Sequence, residues 1–142
     1  MERGKKIVVD ASVAAKWFLE EEHSDHAAAL RTDYVDGTVD ILVPDIFPYE
    51  VLNALKYSGD FGRIELEKAW EVLENYQLLH LPLPGREAVA AAFEYGVTIY
   101  DAAYLAVAKE EDATLYTADE KLLEKIGDAA PVKHISGYKK RK

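Results

Sequence analysis

Three carboxylates stand alone in otherwise apolar stretches of this 142-residue chain. Asp10, Glu50 and Asp101 are each the only charged residue in a run of nine to fourteen residues. Burying an unpaired carboxylate is costly, so such a side chain normally pairs with a cation or binds a metal ion. The sequence therefore predicts that these acids do chemistry or have specific partners. The runs are 7–15, 46–55 and 95–108.

A fourth acid, Asp119, resembles Asp10 in its position along the chain. Asp10 follows the β-branched run 7–9, and Asp119 follows the short apolar run 114–117. A helical pattern begins directly after each acid, so both occupy strand-to-helix junctions. If the two strands are neighbours in a parallel sheet, Asp10 and Asp119 flank the topological switch point, where ligands bind in open α/β sheets. Glu50 and Asp101 lie near the starts of their own predicted helices, where negative charge is favoured.

Four carboxylates at one edge of a sheet repel one another. Two unit charges 4 Å apart repel by about 4 kcal/mol at an effective dielectric constant near 20. A divalent cation removes this penalty, and an all-oxygen ligand set favours Mg²⁺ or Mn²⁺ over Zn²⁺. The four acids together therefore predict a magnesium or manganese site.

Each acid also has a purely structural interpretation. Asp10 could cap the first helix, although Ser12 is the better candidate for that cap. Glu50 could pair with a distant lysine. Asp101 and Asp119 could each cap the helix that follows. These alternatives stay open for each residue taken singly, whereas four such coincidences are much less expected than one.

The predicted elements alternate between strand and helix along the whole chain. Short apolar strands separated by helices indicate one α/β domain over residues 1–142 with a mostly parallel sheet. Ser24 and Asp45 are predicted N-caps, and Gly37 ends the second helix. The predicted strands are 5–9, 41–43, 78–81, 114–117 and 132–135. The predicted helices are 12–19, 24–34, 46–57, 64–76, 86–95, 100–109 and 120–126.

Composition narrows the function classes. The chain has no cysteine, which excludes disulfides and thiolate metal sites, and its apolar runs are too short to span a bilayer. The start of the chain lacks an apolar signal segment, so the expected compartment is the cytoplasm. The net charge of −9 disfavours non-specific coating of nucleic acid. A basic, flexible tail is predicted at 139–142, either as a solvated end or as a phosphate-attracting arm.

The four acidic motifs, in this order, resemble those of the PIN-domain ribonucleases. The first motif is Val-Asp-Ala-Ser-Val-Ala-Ala-Lys-Trp-Phe at 9–18, and the third is Tyr-Asp-Ala-Ala-Tyr-Leu-Ala at 100–106. The second covers Pro-Asp at 44–45 and Glu-Val-Leu-Asn-Ala-Leu at 50–55, and the fourth is Thr-Ala-Asp at 117–119. The compact single-domain form most resembles the VapC toxins of toxin–antitoxin pairs.

The resemblance implies a three-layer α/β/α sandwich with a five-stranded parallel sheet. It also implies Mg²⁺- or Mn²⁺-dependent cleavage of single-stranded RNA by in-line attack of water, leaving a 5′-phosphate and a 3′-hydroxyl. A small antitoxin protein and a homodimer are the partners that the family leads us to expect.

By position, the resemblance assigns the acidic metal-binding and catalytic cluster to Asp10, Glu50, Asp101 and Asp119. Ser12 and Thr117 would orient carboxylates or water, although each hydroxyl could equally serve a cap or a strand end. Asn53 lies one helical turn after Glu50 and could support the site, but a buried structural asparagine is as good an interpretation.

Three other readings compete with this one. Phosphatases of the haloacid dehalogenase type use Asp-x-Asp after the first strand, whereas this chain has Ser12 at the second acidic position. Response-regulator receivers need an aspartate after the third strand, where this chain has Leu81 and Pro82. An RNA- or protein-binding module would keep the fold without catalysis, but it has no need of four mutually repelling acids.

Overall fold

The computed structural model describes residues 5–141 and contains a five-stranded sheet flanked by helices. Arg3 and Lys142, which belong to the predicted basic ends, lie outside the described residues. The strands are β1 (Lys5–Val9), β2 (Val39–Pro44), β3 (Leu79–Leu81), β4 (Thr114–Thr117) and β5 (Val132–His134). The α-helices are α1 (Ala11–Ala14), α2 (Ser24–Val35), α3 (Phe47–Tyr57), α4 (Arg63–Asn75), α5 (Gly85–Tyr95), α6 (Ile99–Glu110) and α7 (Glu120–Ile126). Short 3₁₀ turns cover Ala15–Trp17, Gly127–Ala129 and Ile135–Gly137.

The strand order is β3-β2-β1-β4-β5, and all four pairings are parallel. The chain moves from β1 outward to β3 and then returns to β4 on the other side of β1. The switch point therefore lies between β1 and β4, which confirms the prediction that these strands are neighbours. Because Val9 pairs with Tyr116, the residues that follow them, Asp10 and Thr117, stand side by side at the carboxyl edge of the sheet.

Helices cover both faces of the sheet, as the predicted α/β/α sandwich requires. Helix α6 packs across β1, β2 and β4, whereas α2 packs on β2 and α7 packs against β5. The β1 run from Ile7 to Val9 is at most 1% exposed, so its continuous β-branched sequence reflects burial on both faces. Helix α6 is buried without a break from Ala102 to Ala108, which places its acidic first turn at the end of a core helix.

Three predicted N-cap residues are wrong. Asp10, not Ser12, is the N-cap of α1, because its backbone is extended and its carboxylate accepts hydrogen bonds from two backbone N–H groups. Ser24 is the first residue of α2 and not its cap, because its hydroxyl instead donates to the Leu19 carbonyl. Asp45 does not cap α3, which starts after Ile46 without a side-chain cap. Pro48 in the first turn has no N–H for such a cap to accept.

The first predicted helix is also shorter than expected. Regular α-helix ends at Ala14, and a 3₁₀ turn continues to Trp17 instead of to Leu19. The Trp17 indole N–H donates to the Ala27 carbonyl at 3.0 Å, so the chain turns there towards α2.

The basic tail lies along α2, with a buried carboxylate as its anchor. Asp33 is 0% exposed, and its Oδ2 accepts hydrogen bonds from the Tyr138 hydroxyl at 2.5 Å and from the Arg141 backbone N–H at 2.8 Å. The Lys140 ammonium lies 3.7 Å from the other oxygen of Asp33 and 3.8 Å from Asp36. Since α2 leads into the first residue of β2, these contacts lie near the amino edge of the sheet, opposite the acids. Whether residues 139–142 form a solvated end or a phosphate-attracting arm stays a prediction.

We expect Tyr138→Phe to lower the free energy of unfolding by about 2 kcal/mol, because it removes a hydrogen bond to a buried charged group. Urea unfolding followed by circular dichroism measures the change. The matched control is Tyr57→Phe, whose side chain is 82% exposed and whose loss of a hydroxyl should change stability by less than about 0.5 kcal/mol. Equal midpoints for wild type and Tyr138→Phe would show that the tail is not anchored at Asp33.

Candidate active site

The Asp10 carboxylate lies at the switch point and is 6% exposed. Its Oδ1 accepts hydrogen bonds from the Ser12 hydroxyl at 2.5 Å, the Ser12 N–H at 3.1 Å and the Val13 N–H at 3.3 Å. Its Oδ2 accepts a hydrogen bond from the Thr117 hydroxyl at 2.5 Å. Helix capping therefore occupies Oδ1, whereas Oδ2 keeps capacity for a further partner. The structural and the functional interpretation of Asp10 do not exclude each other.

Two hydroxyls join the β1–α1 junction to the β4–α7 junction. The Ser12 hydroxyl accepts from the Ala118 N–H at 2.9 Å while it donates to Asp10. The Thr117 hydroxyl accepts from the Asp119 N–H at 3.1 Å while it donates to Asp10. Ser12 and Thr117 thus fix the Asp10 carboxylate from two sides, in positions where they can orient it.

Asp119 repeats the arrangement of Asp10 on the neighbouring strand. It is the N-cap of α7, and its Oδ1 accepts from the N–H groups of Lys121 and Leu122 at 3.0 and 3.2 Å. Unlike Asp10, its side chain is exposed. Asp119 therefore caps its helix and also presents carboxylate surface to solvent beside the switch point.

Asp101 lies in the first turn of α6 and is not the cap of that helix. The cap is Thr98, whose hydroxyl accepts from the Asp101 N–H at 3.0 Å. The half-buried Asp101 side chain is electrostatically coupled to all three other acids, since its charge raises the pKa of Asp10 and of Glu50 and the charge of Asp119 raises its own. Asp101 thus interacts electrostatically with each of the other three predicted acids, and the four side chains are called the acidic cluster below.

Glu50 lies in the first turn of α3 and has a tyrosine as its partner, not the lysine that the structural interpretation expected. The Tyr104 hydroxyl donates to Glu50 Oε1 at 2.7 Å. Sequence analysis missed Tyr104, which looks like one more core residue of α6. The available signal was its position three residues after Asp101, which places both on one face of the helix.

Burial dominates the electrostatics of the cluster. It raises the pKa of Asp10 to about 6, against the lowering effect of hydrogen bonds from Ser12, Thr117 and Val13. Burial likewise raises the pKa of Glu50, which the Tyr104 hydrogen bond lowers, and the pKa of Asp101. These carboxylates are therefore held in surroundings that disfavour their charge, a condition that a nearby cation relieves.

Basic residues are sparse around the cluster. The Lys16 ammonium, the one cation that the sequence placed near a motif, bonds Glu21 at 3.1 Å and the Glu22 carbonyl at 2.6 Å. Lys125 at the end of α7, which sequence analysis missed, lowers the pKa of Asp101, but its contribution ranks below that of burial and Asp119. Asn53 is exposed, which excludes the buried structural interpretation of this residue.

The acids and hydroxyls at the switch point offer oxygen atoms as metal ligands. Hard divalent cations such as Mg²⁺ and Mn²⁺ prefer oxygen ligands, so the site suits such an ion. Within residues 5–141, no three histidine, aspartate or glutamate side chains lie close enough together to hold one metal ion. Mg²⁺ commonly takes one or two carboxylates directly and reaches the rest through water, so the donor chemistry fits such an ion in this arrangement. Asp10 Oδ2 is oriented by the Thr117 hydroxyl and keeps room for a further partner.

Comparison with known proteins agrees with this architecture. The chain is 33% identical to Ribonuclease VapC3 of Pyrobaculum aerophilum over 128 residues, which are 85% of this chain and 95% of that protein. A crystal structure from the same organism superposes with a TM-score of 0.66 at 24% identity and covers 93% of this chain and 90% of the other. A toxin–antitoxin complex from Klebsiella pneumoniae superposes with a TM-score of 0.66 at 15% identity. The superposition covers 91% of this chain and 97% of the other.

At these identities the two solved structures support the fold alone. The PIN domain model matches residues 7–128, which include all four acidic motifs. This match and the VapC3 relationship confirm the family that the motifs indicated: the chain belongs to the PIN domain family.

Proposed function

We propose that this protein is a divalent-metal-dependent endoribonuclease that cleaves single-stranded RNA. The observation that carries the proposal is the buried Asp10 carboxylate, which is oriented by four hydrogen bonds at the switch point of the sheet and interacts electrostatically with Asp101. A site with this much buried negative charge is expensive for a protein that only binds RNA, and the relative VapC3 is named a ribonuclease.

The acids and the hydroxyls of the site would have different roles. Asp10, Glu50, Asp101 and Asp119 would hold Mg²⁺ or Mn²⁺, one or two of them directly and the others through water, and Ser12 and Thr117 would orient the Asp10 oxygens. When bound, the cation neutralises phosphate charge and makes water a stronger nucleophile. The raised pKa values of Glu50 and Asp101 suit them to accept the proton from water that attacks phosphorus in line. The bond to the 3′ oxygen breaks, which leaves a 5′-phosphate and a 3′-hydroxyl. Asn53, exposed one turn beyond Glu50, would contact the RNA and not the carboxylates.

The partners that we propose are taken from the proteins to which this chain is similar. The Klebsiella pneumoniae structure is a toxin–antitoxin complex, and we assign this chain the toxin role, with a small antitoxin protein as its inhibitor and a homodimer as its functional form. The part of the chain that the structure describes has no helix long and apolar enough to cross a bilayer. A cytoplasmic location stays a prediction.

Cleavage of a single-stranded RNA should require added Mg²⁺ or Mn²⁺ and stop with EDTA. Asp10→Asn should lower the cleavage rate at least about a hundredfold, since a cation contributes several kcal/mol of transition-state stabilisation. Gel analysis of end-labelled RNA measures both effects. The control is Asp112→Asn, an exposed aspartate in the left-handed conformation that asparagine also tolerates.

Cleavage that survives both EDTA and Asp10→Asn would reject the metal-dependent nuclease. RNA binding without cleavage on every RNA tried would favour the binding module instead.

Stabilisation by Mg²⁺ should grow as the pH rises through about 6. Because the pKa of Asp10 is raised to about 6 by burial, Asp10 is largely neutral at pH 5 and charged at pH 7.5. Without a cation, the stability that protonated Asp10 contributes is present below its unfolded pKa near 4 and is lost as the pH rises through 6. A cation prefers the charged form, so the Mg²⁺-induced rise in Tm should be larger at pH 7.5 than at pH 5. Differential scanning fluorimetry measures both trends, and an equal Mg²⁺ shift at the two pH values would contradict them.

A further inference from the structure

We infer that Tyr104 is a positioning residue that holds the Glu50 carboxylate in the acidic cluster and thereby raises the affinity of the site for a divalent cation. The inference rests on the proposed function. The phenol supplies a link between α6 and α3 at the place where each helix contributes an acid.

The Tyr104 side chain is built into the core with its hydroxyl at the cluster. The residue is 2% exposed, and its hydroxyl meets Glu50, 54 positions away in sequence, at 2.7 Å. The charges of Glu50, Asp10 and Asp101 all act on this phenol. The hydroxyl donates to the Glu50 carboxylate, an interaction that packing of the aromatic ring in the core does not require.

The phenol is a permanent donor. The Tyr104 hydroxyl donates a hydrogen bond to Glu50 Oε1 at 2.7 Å, and burial and this hydrogen bond both raise the pKa of Tyr104. It can donate to Glu50 but cannot become a competing anion. A serine or water at this place would lack the rigid ring that fixes the hydroxyl in space.

The link opposes a force that would otherwise move Glu50 away. The charge of Asp101 acts unfavourably on ionised Glu50, and the half-buried glutamate has solvent within reach of its flexible side chain. Without a donor at 2.7 Å, repulsion and rotamer entropy both favour an outward-pointing carboxylate. With the donor, Glu50 stays where a cation can reach it.

The test compares two phenol-to-carboxylate hydrogen bonds in the same chain. Tyr104→Phe removes the one at Glu50, and Tyr138→Phe removes the one at Asp33 on the opposite edge of the sheet. Both keep the aromatic ring. Mn²⁺ binding, followed by electron paramagnetic resonance of the free ion, should weaken about tenfold in Tyr104→Phe and stay unchanged in Tyr138→Phe, since loss of a partner that orients a ligand typically weakens metal binding tenfold or more.

A double-mutant cycle with Glu50→Gln separates positioning from general destabilisation. In the Glu50→Gln background, Tyr104→Phe should change Mn²⁺ affinity no further. In metal-free protein, the unfolding equilibrium constant of the double mutant should differ from the value expected for independent effects by on the order of tenfold. If Tyr104→Phe is too unstable to measure, Glu50→Asp supplies the same test. The shorter side chain keeps its charge but no longer reaches the Tyr104 hydroxyl.

Mn²⁺ affinity in Tyr104→Phe equal to or tighter than wild type would overturn the inference, as would independent effects of the two substitutions. Failure of the wild-type protein to bind Mn²⁺ or cleave RNA would instead reject the proposed function. In that case the metal-free cycle still decides whether Tyr104 holds Glu50.

Discussion

The structure depends on one buried acid, the carboxylate of Asp10. It lies at the switch point between β1 and β4, where the chain returns to the other side of β1. Its donors come from α1, directly after its own strand, and from the end of β4, so it ties together the two halves of the sheet. The arrangement is costly, because burial raises the pKa of Asp10 to about 6 in spite of every one of these hydrogen bonds. The Ser12 and Thr117 hydroxyls reduce that cost and also set the direction of the oxygens, so stability and orientation come from the same contacts.

Within residues 5–141, the remaining charges compensate this cost only in part. Lys16 is engaged with the acidic loop after the first helix, and Lys140 pairs with Asp33 and Asp36 at the far edge of the sheet. Asp101, meanwhile, is coupled to each of the other three acids. Lys125 does act on Asp101, but its effect ranks below those of burial and of the Asp119 charge, so among the described residues the negative charge of the acidic edge is only partly balanced. An external cation is the physical complement of such a surface.

The sequence was sufficient for several features that are encoded in consecutive residues. The bounds of β1, β4 and α7 were predicted without error, because a β-branched run or a strand–acid–helix junction is encoded in consecutive residues. The choice of N-cap between Asp10 and Ser12 was wrong, because two good cap residues stand two positions apart and only the backbone conformation decides between them. The grouping of the four acids was inferred from parallel topology and the family motifs. Tyr104, Lys125 and the buried Asp33 were missed, because their partners lie on elements that are distant in sequence.

Tyr104 shows why an acidic cluster can be found from sequence more readily than the residues that support it. A lone carboxylate in an apolar run is conspicuous because its charge is expensive to bury. A tyrosine in such a run attracts no notice, since its ring accounts for its presence and its hydroxyl is a small fraction of the side chain. Yet a phenol that stays protonated is the less costly way to hold a carboxylate near other carboxylates, because a lysine or arginine in the same place would neutralise the charge needed to attract a metal ion. The composition of the site, acids held by hydroxyls and backbone N–H groups, follows from that requirement.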